Sequence, residues 1–435
     1  MSRAGVEQEI RRFLDIGAVQ VAELDLEGAE AVLRSGPGSP PVTHGEVFCL
    51  VRRGGRPVGT LLGRVPEGAD PKAVLAGLAR ERIVEEPVGA PEPVGAPVTA
   101  PPVPDTTVVI ATRERTDRLA HALDSMLAQD HPHFEIVVVE NAPVTDTTRD
   151  LIERKYAERV RYVTEPVPGL AVAHNKGVEA ARGEVIAFTD DDVVADPRWL
   201  TELTAPFTAD PGLGCATGLI LPARLRTPAQ VLLESHGGFA KGFTARTYDP
   251  HDPPADEPLF PFTAGRFGSG ANMAFRTGVL RAVGGFDPAT GAGTLARGGD
   301  DLYGFVRVLA HGHRLHYTPQ ALVWHHHRET WRDLETQAYG YGAGLTAYLT
   351  AILVNRPALL PAFLARLPRG LAHARSLTAT RETDAGGAPG AHDDRTHPWP
   401  RRLSRLQRRG MAYGPVGYLR ARRALRAALA SGRSR

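Results

Sequence analysis

The chain has 435 residues, of which 42% are hydrophobic and 23% are charged, and its formal net charge is +2. The length allows two or three domains, and the composition is typical of a soluble globular protein. A charge this close to zero gives no whole-chain electrostatic basis for binding nucleic acid, so we expect no nucleic-acid partner.

The compartment is suggested by the cysteines and by the N-terminal residues. Cys49 and Cys215 lie in apolar runs, which predicts buried thiols and neither a disulfide framework nor a thiolate metal site. The N-terminal stretch MSRAGVEQEIRRFLDIGA lacks the apolar core of a signal peptide, and no run reaches the roughly 20 apolar residues of a membrane span. We therefore expect a cytoplasmic protein.

Residues 1–84 predict a small α+β accessory domain. Two apolar runs flank RRGGRP at 52–57, a pattern typical of a β-hairpin. A helix is expected over 71–82, directly after Asp70. Residues 85–104 are rich in proline and repeat PVGAP, which predicts an extended linker and not a folded unit.

Strands alternate with helices from Thr106 onward, so residues 105–335 are predicted to form one α/β domain. Alternation of this kind predicts a parallel sheet with right-handed crossovers. The predicted strands are TTVVIAT, FEIVVVE (134–140), RYVTE (161–165) and EVIAF (184–188), and the predicted helices cover 116–129, 146–158 and 171–182, the last ending at a capping Gly183.

Three adjacent carboxylates, Asp190, Asp191 and Asp192, follow the strand EVIAF. Like charges next to a buried strand end are costly unless a cation neutralises them. The chain has neither G-x-G-x-x-G nor G-x-x-x-x-G-K-[ST], so it lacks both common glycine-rich phosphate cradles. We therefore expect a divalent cation, held by hard oxygen ligands, to bridge the protein and a diphosphate.

Further polar residues lie downstream in the same domain. Glu140 ends the second strand, where it can contact a nucleobase or a ribose, although a solvated glutamate fits the pattern equally well. Asp300 and Asp301 begin a helix whose N-terminal dipole favours ionised carboxylates. A later strand, ALVW, leads into His325, His326 and His327, one of which could bind a metal.

These segments carry a resemblance to a known family. Residues 106–328 resemble the family 2 glycosyltransferases, which have the GT-A fold and use nucleotide sugars. The matching stretches are TVVIATRERTDRLAHALDSMLAQDHPHFEIVVVEN, AHNKGVEAARGEVIAFTDDDV, GSGANMAFRTGVLRAVGGFD and GGDDLYGFVRVLAHGHRLHYTPQALVWH. The implied fold class is α/β: a Rossmann-like, mostly parallel GT-A sheet, with the small α+β domain before it and a helical C-terminal extension after it.

The resemblance also implies residue roles. Asp190 and Asp192 match the outer acids of the family's DxD motif, and Asp301 matches its catalytic base. Asp300 stands where glutamate is usual, and Tyr303 stands where a second acid is common. Asp192 and His325 are expected to bind Mn²⁺ or Mg²⁺, with Asp191 as a possible contributor. The expected nucleotide-sugar contacts are Thr112, Arg113, Glu114, Glu140, Asn175, Asp190 and Asp191, and the expected acceptor-side residues are Gly270, Asn272 and Asp300.

The implied activity is an inverting transfer from a UDP-, GDP- or dTDP-sugar to a hydroxyl acceptor, in cell-envelope polysaccharide or glycolipid synthesis or in natural-product glycosylation. A nucleotidyltransferase is an alternative, but it typically has a glycine-rich first loop, and ATRERTDR contains no glycine. The second alternative is a non-catalytic binding module. Acidic residues at three separate positions in the sequence disfavour it.

The last hundred residues lie outside the resemblance. Residues 336–375 predict an apolar helical extension interrupted by prolines, residues 376–400 a disordered linker, and residues 401–435 a basic helical tail with eleven Arg and no Asp or Glu. An apolar helix with arginine-rich flanks favours peripheral contact with an anionic membrane. Equally, the apolar segment could form part of the catalytic core and the tail a solvated arm.

Overall fold

The computed structural model describes residues 15–27, 30–83, 103–236, 238–366 and 399–432, together with Phe13 and Pro368. Most of the two predicted linkers, 85–104 and 376–400, lies outside these residues. The strands are β1 Gln20–Glu27, β2 Glu30–Ser35, β3 Gly45–Arg53, β4 Arg56–Val65, β5 Thr106–Thr112, β6 Phe134–Asn141, β7 Val160–Glu165, β8 Val185–Asp190, β9 Val193–Ala195, β10 Leu213–Pro222, β11 Arg246–Tyr248, β12 Asn272–Arg276 and β13 Arg314–His325.

The helices are distributed between and after these strands. They are α1 Pro71–Arg82, α2 Thr116–Leu127, α3 Thr147–Lys155, α4 Leu170–Ala180, α5 Trp199–Ala209, α6 Pro228–Ser235, α7 Thr277–Ala282, α8 Asp300–Ala310, α9 Trp331–Asn355 and α10 Arg401–Gly432, with short 3₁₀ turns at Ala264–Arg266 and Pro357–Leu359.

The N-terminal part is a four-stranded sheet in the order β2-β1-β3-β4, with α1 against it. β3 and β4 form the predicted hairpin, and Gly54 and Gly55 at its turn have φ of +54° and +80°, a region that favours glycine. α1 begins where Asp70 accepts a hydrogen bond from the Lys72 amide at 3.1 Å. The hairpin and the helix over 71–82 are therefore confirmed.

The larger sheet has nine strands, eight of them in the order β11-β13-β10-β12-β8-β5-β6-β7, with β9 paired to β13. β7, β6, β5, β8, β10 and β13 all run in one direction, and β12 lies antiparallel between β8 and β10. The predicted α/β class with a mostly parallel sheet is confirmed. Because the parallel strands share an orientation, Thr112, Glu140, Asp190 and His325 all lie at one edge of the sheet.

Alternating residues of the large sheet divide into two buried layers. Val109, Val137 and Phe188 face one layer, and their neighbours Val108 and Ile136 face the other. This period of two, with both sides apolar, is expected for a sheet covered by helices on both faces.

The two sheets are joined through Arg52. Its side chain is 8% exposed and pairs with Glu23 at 2.8 Å and with Asp196, next to β9, at 2.6 Å. A buried arginine with two carboxylates satisfies its charge, so the N-terminal sheet is tied to the larger one at a defined position.

The segment after β13 belongs to the protein core. α9 buries Ala343, Ala347 and Ala351 completely, and its Tyr348 hydroxyl donates to the Phe262 carbonyl at 2.5 Å. α10 lies along α9. Among the described residues, no single helix combines the length and hydropathy needed to cross a membrane; the bent pair Trp331–Asn355 and Pro357–Arg366, with 111° between its halves, meets that test by length and composition only.

Candidate active site

The acidic triplet at the end of β8 is partly neutralised by arginines from the start of α2. Asp191 is 4% exposed, accepts a hydrogen bond from the Thr112 hydroxyl at 2.7 Å and pairs with Arg115 at 3.0 Å. Arg118 lies 3.4 Å from Asp192. These contacts give Asp191 and Thr112 partners within the protein, and their expected roles in binding a metal or a nucleotide sugar stay predictions.

The other two acids form a group with a histidine. Asp190, Asp192 and His325 each offer one ligand atom, and these atoms lie within 4.8 Å of one another. His325 Nε2 is 3.4 Å from Asp192 Oδ1. Asp190, expected on the nucleotide side, therefore stands with the two predicted metal ligands.

The electrostatics of this group fit a cation. Burial, with the charge of Asp192 in addition, raises the pKa of Asp190 well above its usual range. Burial lowers the pKa of His325 to about 4, so its imidazole is neutral at pH 7 and has a free lone pair. Two carboxylates and a neutral imidazole are donors that suit a divalent transition-metal ion.

Asp301 lies at the start of α8 and lines the same cavity as Asp190. Its Oδ2 accepts from the Gly270 amide at 2.9 Å, and its Oδ1 accepts from the Leu302 amide at 2.8 Å. Burial, assisted by the neighbouring charge of Asp300, raises the pKa of Asp301 to about 6. A carboxylate with this pKa is mostly ionised at neutral pH and is still a useful proton acceptor.

Asp300 has a different environment from its neighbour. It is 4% exposed, and its Oδ2 is 3.1 Å from Nδ1 of His174 on α4. The cavity described next is also lined by Asp300. The expected acceptor-side role of Asp300 stays a prediction.

A cavity of about 580 Å³ lies beside these acids. One wall contains Asp190, Asp300, Asp301 and Gly270. A second wall comes from α9 and α10, and its members are Gly340, Tyr341, Gly344, Leu345, Ser404, Gln407, Arg408 and Met411. The volume is in the range of small-molecule sites, and the basic tail is thus part of the cavity.

The predicted nucleotide side is formed by Glu140 and its neighbours. Glu140 is fully buried; its Oε2 accepts from the Tyr162 hydroxyl at 2.5 Å, and its Oε1 has no hydrogen-bond partner. A buried, unsatisfied carboxylate oxygen is costly unless a ligand supplies a donor. Arg113, in contrast, is exposed.

Three predicted contact residues have structural hydrogen bonds instead. Glu114 accepts from the amides of Val144 and Thr145 at 2.7 and 2.9 Å. The remaining two, Asn175 and Asn272, each use both ends of their amide: Asn175 binds the backbone N–H and C=O of Phe286, and Asn272 binds Trp199, Leu219 and Ala321. The expected nucleotide-sugar roles of Glu114 and Asn175 and the expected acceptor-side role of Asn272 stay predictions.

The sequence identifies His327 only as one of three possible metal ligands, and it gives no role to Glu234. Glu234 on α6 contacts His327, which in turn contacts His325. The HHH run was a usable signal for His327, but nothing in the sequence links it to a glutamate 93 residues earlier.

Comparison with known proteins places the chain in a family. Residues 102–339, more than half of the chain, match the profile described as glycosyltransferase like family 2. The chain belongs to this family. The resemblance found in the sequence is thereby confirmed, and the matched residues contain every acid of the candidate site.

Individual relatives of this family 2 member are distant. A glucosyl-dolichyl phosphate glucuronosyltransferase of Haloferax volcanii is 25% identical over 42% of this chain and 56% of its own length. A pre-mycofactocin glycosyltransferase of Mycobacterium tuberculosis is 25% identical over 57% of this chain and 48% of its own. The chain spans 34–56% of the length of the first curated relatives that it matches.

Among solved structures, a mannosyltransferase from Pyrobaculum calidifontis, in complex with GDP-Man and Mn²⁺, is 21% identical. The alignment covers 80% of this chain and 92% of the other chain, with a TM-score of 0.43.

Proposed function

We propose that this chain is an inverting glycosyltransferase that moves a sugar from a nucleotide-sugar donor to an acceptor hydroxyl. The observation that carries the proposal is the lining of the cavity: Asp190, which belongs to the candidate cation-binding group, and the carboxylate of Asp301, which has a pKa of about 6. Leaving-group stabilisation and proton removal are the two functions that such a transfer requires.

The donor diphosphate would lie at Asp190, Asp192 and His325. A bound divalent cation would neutralise the charge that grows on the leaving diphosphate. The imidazole in this donor set favours Mn²⁺ over Mg²⁺, since Mg²⁺ prefers oxygen ligands. Glu140 would receive a hydrogen bond from the nucleobase or the ribose at its unsatisfied Oε1. We propose a UDP-, GDP- or dTDP-sugar as the donor.

Asp301 is the proposed general base. The acceptor oxygen attacks the anomeric carbon, the bond from that carbon to the diphosphate breaks, and the hydroxyl proton passes to Asp301. The amides of Gly270 and Leu302 hold the carboxylate in position for this transfer. A single displacement of this kind inverts the anomeric configuration.

The acceptor would enter between Asp301 and the wall formed by α9 and α10. This wall supplies the polar groups Gln407 and Arg408 and would shield the reacting atoms from bulk water. α10 lies outside the residues that match the family, so we propose that it selects the acceptor.

The test is incubation of the full chain with a panel of nucleotide sugars, with Mn²⁺, with Mg²⁺ or with chelator. We expect slow, metal-dependent hydrolysis of one donor, and we expect transfer with inversion when an acceptor is present. Release of pyrophosphate from a nucleoside triphosphate would instead identify a nucleotidyltransferase. Metal-dependent nucleotide binding without any turnover would identify a binding module.

We also propose that the outer face of α10 makes peripheral contact with an anionic membrane from the cytoplasmic side, which would bring a lipid-linked acceptor to the cavity. Val416 and Leu419 are each 46% exposed there, and Arg420 and Arg423 lie one turn further along the same face. The full chain should sediment with anionic liposomes at low salt and be released at high salt, because surface charges are screened within about 10 Å at 0.1 M.

The variant that tests this proposal keeps the helix in place. Arg420→Gln combined with Arg423→Gln removes exposed charge only, whereas truncation before Arg401 would also open the cavity. Equal sedimentation of the double variant and the wild type, or a wild-type chain that stays in the supernatant at low salt, would contradict the membrane proposal.

A further inference from the structure

A series of side-chain contacts connects α6 to the candidate cation-binding group of Asp190, Asp192 and His325. Oε2 of Glu234 lies 3.0 Å from Nε2 of His327, and Nδ1 of His327 lies 3.1 Å from Nδ1 of His325. The other ring nitrogen of His325, Nε2, faces Asp192 Oδ1 at 3.4 Å. These contacts form one connected path from a carboxylate to the predicted metal ligand.

The path is protected from solvent. The His327 side chain is fully buried, and Glu234 is 14% exposed. The Phe239 ring lies over both imidazoles, with centroids 5.1 Å from His325 and 5.4 Å from His327. The Gln230 side-chain amide donates to the His327 carbonyl at 3.2 Å and helps to fix the backbone there. Water therefore competes poorly with these contacts.

The positions of the protons follow from which groups can donate a hydrogen bond and which can only accept one. A carboxylate only accepts, so Nε2 of His327 carries the proton in the contact with Glu234. In a neutral ring, Nδ1 of His327 is then an acceptor, and Nδ1 of His325 must be the donor. The lone pair of His325 is left on Nε2, the nitrogen next to Asp192. Every arrangement of neutral rings leaves at least one mismatched contact. Here it is the pair of acceptors His325 Nε2 and Asp192 Oδ1, where a bound cation would satisfy both, whereas the other arrangements place the mismatch at Glu234 or between the two rings.

We infer that Glu234 and His327 are positioning residues that hold His325 in the tautomer with its proton on Nδ1, so that Nε2 is ready to bind the metal between Asp190 and Asp192. The inference rests on the proposed metal site. Partners of this kind orient a ligating histidine and typically change metal affinity by about 10–100-fold when they are removed.

The structure also indicates what happens without His327. His325 Nδ1 would lose its acceptor, whereas Asp192 Oδ1 would remain 3.4 Å from Nε2. The proton would then prefer Nε2, where it can be donated to Asp192. This tautomer blocks the lone pair that the metal needs, so loss of His327 should change the tautomer and the metal affinity together.

The experiment uses the full chain without metal, labelled with ¹⁵N-histidine, at a pH where the imidazoles are neutral. Nitrogen shifts report the tautomer of His325, whose signal is assigned from a His325→Asn sample. Mn²⁺ affinity is measured in parallel by calorimetry and by electron paramagnetic resonance. The variants are His327→Phe, which keeps a buried ring, and Glu234→Leu. The matched control is His326→Phe, which changes the neighbouring histidine that is not on the path.

In the wild type and in the His326 variant we expect His325 protonated on Nδ1. In His327→Phe we expect the proton on Nε2 and Mn²⁺ binding about 10–100-fold weaker; Glu234→Leu should change both in the same direction. Unchanged affinity and tautomer in a folded His327→Phe protein would overturn the inference, and so would a wild-type His325 protonated on Nε2.

The outcome is separable from the proposed activity. A chain that transfers no sugar but binds Mn²⁺ and shows these shifts would keep the positioning roles and lose the activity. A chain that transfers sugar while His327→Phe binds Mn²⁺ normally would keep the activity and lose the positioning roles.

Discussion

Replacement of Asp301 by asparagine tests the proposed base with the smallest change in shape. The asparagine keeps a side-chain oxygen that can accept a hydrogen bond from one backbone amide. It cannot take up the proton of the attacking hydroxyl group. General base catalysis contributes about 10²–10⁴-fold to the rate, so kcat should fall within that range. Donor binding should stay near the wild-type value, since Asp301 is not part of the group formed by Asp190, Asp192 and His325.

The pH profile makes this prediction sharper. Burial and the charge of Asp300 raise the pKa of Asp301 to about 6, and the ionised form is the active one. The rate should therefore be lost as the pH falls through 6: with a single group titrating at this pKa, activity at pH 5 is about one tenth of that at pH 7. In Asp301→Asn this limb of the profile should disappear, because the titrating group is gone.

The assay is initial-rate transfer between pH 5 and 8 with saturating metal, accompanied by calorimetric titration of the donor nucleotide. Transfer by Asp301→Asn at the wild-type rate would refute the role of Asp301, and so would an unchanged acid limb in that variant. A product that retains the donor's anomeric configuration would refute the single displacement itself.

Other variants test the rest of the site. Asp192→Ala should abolish metal-dependent UDP or GDP binding in calorimetry, and unchanged binding by the folded variant would exclude Asp192 as a ligand. Arg408→Gln, at the cavity wall, should raise KM for the acceptor several-fold, whereas Arg409→Gln, the exposed neighbour, should not; equal effects would remove α10 from acceptor selection. Gly342→Ala places a Cβ 1.9 Å from a backbone carbonyl of α10 and should destabilise the fold by about 1–3 kcal/mol in denaturant unfolding. Gly77→Ala in α1 meets open space and should stabilise by about 0.5–1 kcal/mol, so a loss of stability there would contradict the packing argument.

Local sequence patterns predicted the regular elements of the catalytic sheet well. The runs TTVVIAT and FEIVVVE match β5 and β6 to within one residue, because continuous apolar runs are typical of strands covered on both faces. The end of α4 was predicted less well. The sequence predicts a helix cap at Gly183, but α4 ends at Ala180, and a Cβ on Gly183 would lie 2.6 Å from the Thr107 amide. Gly183 has no side chain, and this allows two segments of the chain to approach closely. No local sequence pattern reveals such a contact.

Long-range contacts account for the other differences in the site. Asp190, Asp192, Asp301 and His325 could be selected because each stands at the end of a strand or the start of a helix. The hydrogen bonds of Asn175 could not be read from the sequence, since they join α4 to a loop 111 residues away. The sequence alone also presented the arginine-rich tail as an appendage, because nothing in its own composition indicates that α10 packs on α9.

The position of α10 near the end of the sequence affects when the cavity is completed during synthesis. The catalytic acids lie in a segment that ends at His325, yet one wall of the cavity is made more than seventy residues later. At about 5–20 residues per second, synthesis of residues 356–432 takes about 4–15 s. During that interval the side of the cavity formed by α10 is missing, and Asp301 faces open water. If the proposed transfer is correct, we expect a nascent chain to lose the sugar to water until α10 docks.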